Sequence, residues 1–171
     1  MDTTGLNVPK LKSLVIEKWS SGPEFWPAKV MAMSRVVELE HKLGKRMDAV
    51  GGYITCQKNV RGKTPTEMED ILGFQKGTFS SGVSIWKLNA LPKPADFELR
   101  GYTYLPGGER FDGIVIRRSD LPRPQYLDKG GASSTYPPGL GVEQWELAPG
   151  VLVPATELQR VPFGTKFTKW I

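Results

Sequence analysis

Residues 139–147 read GLGVEQWEL, a glycine-rich approach that leads into an alternating segment and predicts a β-strand. Residues two apart on a strand share a face, so Gln144 and Glu146 project together while Trp145 and Leu147 point to the opposite side. An amide beside a carboxylate on one face suits polar chemistry. The same pattern also fits a half-exposed strand with Trp145 and Leu147 in the core, and both interpretations stay open.

The second half of the chain repeats this two-residue period. Segments with alternating apolar residues lie between turns rich in proline and glycine, at 83–88, 97–105, 114–117, 142–147 and 151–153. Each has the length and composition of a strand. The spacing therefore predicts a small, mainly antiparallel sheet.

The first half of the chain predicts helices instead. Apolar residues at helical spacing run from 10 to 20, where Gly22-Pro23 stops them. A second run with this spacing begins at Pro27 and extends to Met47. We expect two helices over these segments.

A third helix carries the clearest start signal in the chain. Thr64 can cap it, Pro65 suits the first helical position, and Glu67 completes a capping box. Apolar residues follow on one face, and Gly73 is expected to end the helix.

These segments predict an α+β fold in which N-terminal helices pack on a small, mainly antiparallel β-sheet. Residues 1–50 are expected to form a helical arm or subdomain, and residues 51–171 an α+β domain that carries the chemistry. Because 171 residues is also the size of one domain, a single domain that includes both parts is the alternative.

The composition excludes several classes of protein. Of the residues, 39% are hydrophobic and 24% are charged, which does not fit a disordered tail, a coiled coil or a disulfide scaffold. No apolar run is long enough for a transmembrane helix, and no N-terminal segment has the form of a signal peptide. We therefore expect no membrane insertion.

One cysteine, Cys56, and one histidine, His41, leave little material for a zinc site or a Cys–His nucleophile pair. Cys56 lies in a strand-like segment, where a buried, unreactive thiol is expected. Any catalysis is expected to use carboxylates, amides, hydroxyls or arginines, and no metal.

The net charge of +5 has two interpretations. Short basic clusters at 42–46, 58–63, 117–123 and 166–169 favour anionic ligands such as nucleotides or RNA. Lysines scattered over a solvated surface explain the same charge without any ligand.

Gln144-x-Glu146 is similar to the Q-x-E strand of ADP-ribosyltransferase-like folds. The resemblance implies that Glu146 stabilises the oxocarbenium ion formed when nicotinamide leaves NAD, and that Gln144 orients the ribose or the acceptor. Arg100 stands where that family has a strand arginine that binds NAD phosphates. Ser133 and Ser134 resemble its serine-rich element, which braces the carboxylate.

Residues 139–153 also resemble the C-terminal end of NAD glycohydrolase toxins of the tuberculosis necrotizing toxin type. Arg110 and Phe111 resemble the Arg-Phe-Gly turn of that family, which implies a phosphate contact for Arg110. The aromatic candidates for packing on nicotinamide are Tyr102, Tyr104, Phe111 and Tyr136. Together the two resemblances cover residues 97–160.

The resemblance implies a NAD-consuming domain of a bacterial polymorphic toxin, either an ADP-ribosyltransferase or a NAD glycohydrolase. NAD is then a substrate that is cleaved at the nicotinamide–ribose bond, with a protein or RNA acceptor in a transferase and water in a hydrolase. Such toxins act in a reducing cytoplasm after delivery by a bacterial secretion system. A cognate immunity protein is an expected partner.

Two other functions remain compatible with the sequence. The basic clusters, with aromatic residues such as Tyr53 and Trp86 nearby, also suit a ribonuclease or an RNA-binding domain. Apolar helix faces such as Val30, Met33 and Val37 suit a non-enzymatic interaction module.

Overall fold

The computed structural model describes residues 8–72, 74–98, 102–105, 108–111, 114–116, 142 and 144–170, and these form helices and a curled sheet. The helices are α1 (Val8–Trp19), α2 (Met33–Leu43), α3 (Gln57–Val60) and α4 (Pro65–Leu72), with 3-10 turns at Pro23–Phe25 and Pro94–Asp96. The strands are β1 (Pro27–Ala32), β2 (Ala49–Val50), β3 (Tyr53–Cys56), β4 (Val83–Leu88), β5 (Phe97–Glu98), β6 (Tyr102–Leu105), β7 (Gly108–Phe111), β8 (Ile114–Ile116), β9 (Gln144–Leu147) and β10 (Val153–Val161).

Seven strands form one sheet in the order β2-β10-β4-β1-β3-β9-β5. The pairings within it are antiparallel. The strands β6, β7 and β8 form a separate antiparallel sheet. The α+β class with an antiparallel sheet is therefore confirmed, whereas the ADP-ribosyltransferase-like assignment stays a prediction.

The large sheet is curled because β2 and β3, which are separated by only two residues, lie in distant parts of the strand order. β2 pairs with β10, β3 pairs with β1 and β9, and Gly51 and Gly52 lie between β2 and β3. A Cβ on Gly51 would lie 2.9 Å from the carbonyl oxygen of Val151, and Gly52 has a φ of 74°. Glycine is needed at both positions, first for a close approach and then for a left-handed backbone.

Apolar side chains cover both faces of the curled sheet. On one face, Trp19 of α1 packs on Phe97 and Trp145, with ring centroids 5.0 and 5.2 Å apart. On the other face, α4 packs on a cluster that includes Ile85. Ile85 and Trp86 are neighbours on β4 and belong to different clusters, which places the two clusters on opposite faces.

The helix predicted to begin at Pro27 is wrong in its first part. Residues 27–32 form β1, in the middle of the sheet, and the helix begins only at Met33. Pro27 is the first residue of the strand, a position that tolerates proline. Pairing with β3 and β4 on the two edges of β1 outweighs the local helical spacing.

Other boundaries also differ from the expectation. The strand predicted at 151–153 runs instead over Val153–Val161, where it pairs with β4. β1 and β2 precede residue 51 and lie in the same sheet as the later strands. The division into an arm of residues 1–50 and a domain of residues 51–171 stays a prediction.

The capping box of α4 is confirmed. The Glu67 carboxylate accepts a hydrogen bond from the backbone N–H of Thr64 at 3.0 Å, and the Thr64 hydroxyl accepts one from the Glu67 N–H at 3.2 Å. The backbone hydrogen bond from Thr64 lowers the pKa of Glu67. Cys56 is buried on β3, as predicted.

Candidate functional site

Strand β9 carries the two residues predicted to be catalytic, Gln144 and Glu146. It pairs with β3 so that Gln144 lies opposite Thr55 and Glu146 lies opposite Tyr53. Trp145, between them, is fully buried in the apolar core. Gln144 and Glu146 therefore share the other face of the strand, as the alternation predicts, and their chemical roles stay predictions.

The amide of Gln144 anchors the end of a helix. Its side chain is 3% exposed, and Nε2 donates a hydrogen bond to the Leu72 carbonyl oxygen at 3.0 Å. Leu72 is the last residue of α4, where backbone carbonyls lack partners within the helix. One role of Gln144 is therefore to hold the C-terminal end of α4 against β9.

The other predicted site residues fall into two groups. Four lie outside the described residues: Arg100, Ser133, Ser134 and Tyr136. The remaining four belong to the three-stranded sheet, in which Tyr102 pairs with Phe111, Tyr104 pairs with Glu109 and Arg110 pairs with Thr103. This register sets Tyr102 and Phe111 directly across from each other.

A cleft opens where β1 separates from the chain that leads into β3. β1 pairs with β4 along residues 28–32, but with β3 only at Pro27 and Ala28. From Lys29 onward, β1 and residues 49–51 line a cavity of about 580 Å³, and residues of α2 and of the segment 74–79 also contribute to its walls. This volume is typical of a site for a small molecule.

The walls of the cleft are mainly apolar. Phe74 and Phe79 contact each other with ring centroids 4.8 Å apart, and Met31, Met47 and Leu152 add aliphatic surface. Surfaces of this kind bind flat or aliphatic groups and displace water from them.

Lys29 places a cation in this apolar cleft. Its side chain as a whole is half-buried, and burial of the ammonium end lowers the pKa of Lys29 to about 8. Within the part of the chain that the structure describes, Lys29 has no ion pair and no hydrogen bond through its side chain. Because a desolvated cation without a counter-ion is costly, this position favours an anionic ligand.

The other charges at the cleft pair with each other. Arg35 Nη1 lies 2.9 Å from Glu38 Oε1, and Lys42 Nζ lies 3.3 Å from the same oxygen. These side chains are more than half exposed, so the pairs contribute little to stability. Of the two described cations that line the cleft, Lys29 is therefore the one without an acidic partner.

A smaller cavity lies between the cleft and β9. Its lining shares Lys29, Val30 and Phe74 with the cleft and adds Tyr53 and Gln144. Its volume of about 10 Å³ is the space of a single water molecule. Lys29 lines both cavities, while the register of β1, β3 and β9 places its side chain on the face of the sheet opposite to that of Gln144.

Lys29 is not among the predicted site residues, because its segment is predicted to be part of the helix that begins at Pro27. On β1 it instead alternates with Ala28 and Val30, which are buried. A signal was present in the segment 27–32, which reads PAKVMA and holds one cation among apolar residues. This pattern indicates a buried cation only if the segment is known to be a strand.

No family model, no curated protein and no solved structure matches the chain. Within the described residues, no group of three or more His, Cys, Asp or Glu side chains is arranged to hold a metal ion. None of the described helices is long and apolar enough to cross a membrane.

Proposed function

We propose that the protein is a NAD-consuming enzyme that cleaves the nicotinamide–ribose bond, with the diphosphate of NAD bound in the cleft beside Lys29. The observation that supports this proposal is the position of Lys29, a cation shared by the cleft and by the cavity that reaches Gln144. Lys29 offers a site for the anionic part of a ligand, and Gln144, which also lines the small cavity, belongs to the strand that resembles the Q-x-E strand of NAD-cleaving enzymes.

The cleft has two kinds of surface that a dinucleotide needs. The Lys29 ammonium can hold diphosphate oxygens through charge-assisted hydrogen bonds. The half-buried ring of Phe74, which packs on the buried ring of Phe79, offers an apolar wall for nicotinamide or adenine. One end of the substrate is thereby held by charge and the other by apolar contact.

In the proposed reaction, nicotinamide leaves with the electron pair of the C–N bond, which neutralises its ring and leaves a cationic ribose. Glu146 shares a face of β9 with Gln144 and is not among the residues that line either cavity, and we propose that its carboxylate opposes this positive charge. Glu146 is half-buried on β9, and a carboxylate shielded from water stabilises a developing cation more strongly. Water then attacks the ribose in a glycohydrolase, or a macromolecular nucleophile in a transferase, and the attacking group releases a proton.

The proposed biological role follows from the same resemblance. The domain acts as a toxin that depletes NAD or modifies a protein or RNA in the cytoplasm of a target cell. A bacterial secretion system delivers it, and an immunity protein neutralises it in the producing cell. The reaction as proposed uses no metal.

Release of free nicotinamide tests this proposal. The protein is incubated with NAD, alone and with cell lysate as a source of acceptors, and nicotinamide is quantified by chromatography. Lys29→Met is expected to raise KM for NAD, whereas Lys45→Met, which changes an exposed lysine just beyond α2, leaves KM unchanged. Absence of nicotinamide release under both conditions overturns the proposal.

A further inference from the structure

A second cavity, of about 320 Å³, lies between α3 and the C-terminal segment. It shares no lining residue with the Lys29 cleft. Its lining includes two cations, one carboxylate, one amide, one hydroxyl and one aromatic ring: Lys58, Arg61, Glu24, Gln57, Thr168 and Phe167.

Two basic segments that are far apart in the sequence meet at this cavity. The Gly62 N–H donates to the Phe167 carbonyl at 2.7 Å, and the Phe167 N–H donates to the Lys63 carbonyl at 3.0 Å. The Phe167 ring is fully buried, which fixes the C-terminal segment beside α3. The cluster at 58–63 and the cluster at 166–169 therefore form one basic surface, which favours an anion.

Gln57, which is among the residues that line the cavity, carries a buried acceptor that lacks a donor. Its side chain is fully buried, and Nε2 donates to the Pro23 carbonyl at 2.9 Å, which fixes the amide plane. Among the described residues, Oε1 has no hydrogen-bond partner. Because leaving a buried acceptor unsatisfied is costly, this oxygen favours a ligand that donates a hydrogen bond.

The charged side chains at the cavity can bind a phosphate and hydroxyl groups. Lys58 Nζ lies 5.0 Å from the centroid of the Phe25 ring, a cation–π distance. Arg61 is exposed and offers a planar fork of donors that suits two phosphate oxygens. The Glu24 carboxylate adds a second acceptor for hydroxyl groups.

We propose that this cavity binds a ribose-phosphate unit. Lys58 and Arg61 hold the phosphate, a ribose hydroxyl donates to Gln57 Oε1, and Glu24 accepts from a second hydroxyl. A free ribonucleotide carries this unit with both hydroxyls, whereas a single-stranded RNA carries it with the 2′-hydroxyl along the strand and with both hydroxyls only at its 3′ end. Binding here does not depend on the cleavage of NAD at Lys29.

Isothermal titration calorimetry at low salt tests the site with four probes: adenosine 5′-phosphate, its 2′,3′-dideoxy analogue, and a short single-stranded RNA and DNA of the same base sequence. The expected result is binding of the ribonucleotide or the RNA, with each deoxy counterpart weaker by about tenfold because it cannot satisfy Gln57. Binding of the mononucleotide identifies a nucleotide site. Binding of the RNA alone, weakening as salt rises, identifies a strand site.

Substitutions distinguish binding at this cavity from non-specific attraction to the positive charge of the protein. Arg61→Ala is expected to weaken binding by about tenfold or more, since one charge-assisted phosphate contact is lost. Lys45→Ala, which removes an exposed cation elsewhere, should leave binding unchanged. If the wild type releases nicotinamide from NAD, Arg61→Ala should release it at the same rate. The proposed ribose-phosphate site and the proposed NAD cleavage are then tested independently of each other.

Three results overturn the proposal. They are no binding of either ribonucleotide probe, equal binding of the ribo and deoxy probes, and equal weakening by Arg61→Ala and Lys45→Ala. Gln57→Met removes the acceptor directly and should abolish the preference for ribose. Gln57→Met also loses the hydrogen bond to the Pro23 carbonyl and can therefore fail to fold. In that case the deoxy probes, used with the wild type, still test whether Gln57 Oε1 accepts a hydrogen bond from the ligand.

Discussion

The ammonium nitrogen of Lys29 lies 3.1 Å from the point that a Cβ on Gly52 would occupy. Gly52 has a φ of 74° and, with Gly51, lies between β2 and β3. The glycine therefore lets the backbone turn between the two sides of the curled sheet and also leaves room for the ammonium group. The curl of the sheet and the position of the cleft cation depend on the same residue.

Gly52→Ala is expected to destabilise the protein and to displace Lys29. A left-handed φ costs a non-glycine residue about 1–2 kcal/mol, and the new methyl group also presses on the ammonium. Gly150→Ala is the matched control, because Gly150 has a φ of 80° and nothing within 4 Å of its Cβ position. Urea unfolding should show a larger loss of stability for Gly52→Ala. An equal loss of stability in the two variants would mean that the Lys29 side chain accommodates the new methyl group at no cost in free energy.

Lys29→Met is expected to stabilise the free protein at pH 7. The pKa of Lys29 is about 8 in the folded chain, against an ordinary value of 10.5, so folding penalises the charged form. Each unit of lowered pKa corresponds to about 1.4 kcal/mol, and partial exposure reduces the effect, so we expect a gain of about 1–3 kcal/mol in the free energy of unfolding. Lys45→Met, at an exposed position, should change it little.

The pH dependence of stability gives an independent check on Lys29. Between pH 8 and pH 10.5 the unfolded chain binds this proton more than the folded chain does, so Lys29 makes the free energy of unfolding rise with pH over that window. Lys29→Met should lack this rise, and the difference between the two proteins should shrink as pH increases. Parallel curves for wild type and Lys29→Met would show that the lysine is not desolvated.

Gln144→Leu is expected to destabilise the protein even where no substrate is present. The substitution replaces the polar amide with an apolar side chain of similar size and leaves the Leu72 carbonyl without its donor at a buried site. A loss of about 1–3 kcal/mol is typical of such a buried unsatisfied group. Gln75→Leu, at an exposed position, should stay within about 0.5 kcal/mol of the wild type. Equal stability of the two variants would remove the anchoring role of Gln144.

The elements that could be predicted from the sequence carry local signals. Thr64, Pro65 and Glu67 identify the start of α4 because capping depends on residues within one turn. The alternation of Gln144 and Trp145 identifies the faces of β9 because the period of a strand is a local property.

The elements that could not be predicted depend on distant contacts. β1 has helical spacing that continues into α2, and only its pairing with β3 and β4 makes it a strand. The Lys29 cleft exists because β1 and β3 separate after Ala28, a result of the register that β3 adopts. A separation of two strands cannot be predicted from the pattern of a short stretch of sequence.

Nicotinamide release by Glu146→Gln, measured beside Glu143→Gln and the wild type, tests the proposed NAD cleavage most directly. Glu143 lies outside the described residues, and the alternation of the sequence predicts that it points away from Glu146. Removing the carboxylate charge that opposes the ribosyl cation should lower the rate by roughly 10²–10³-fold in Glu146→Gln, with Glu143→Gln as active as the wild type. Full turnover by Glu146→Gln, or no release of nicotinamide by the wild type, would contradict the proposed reaction.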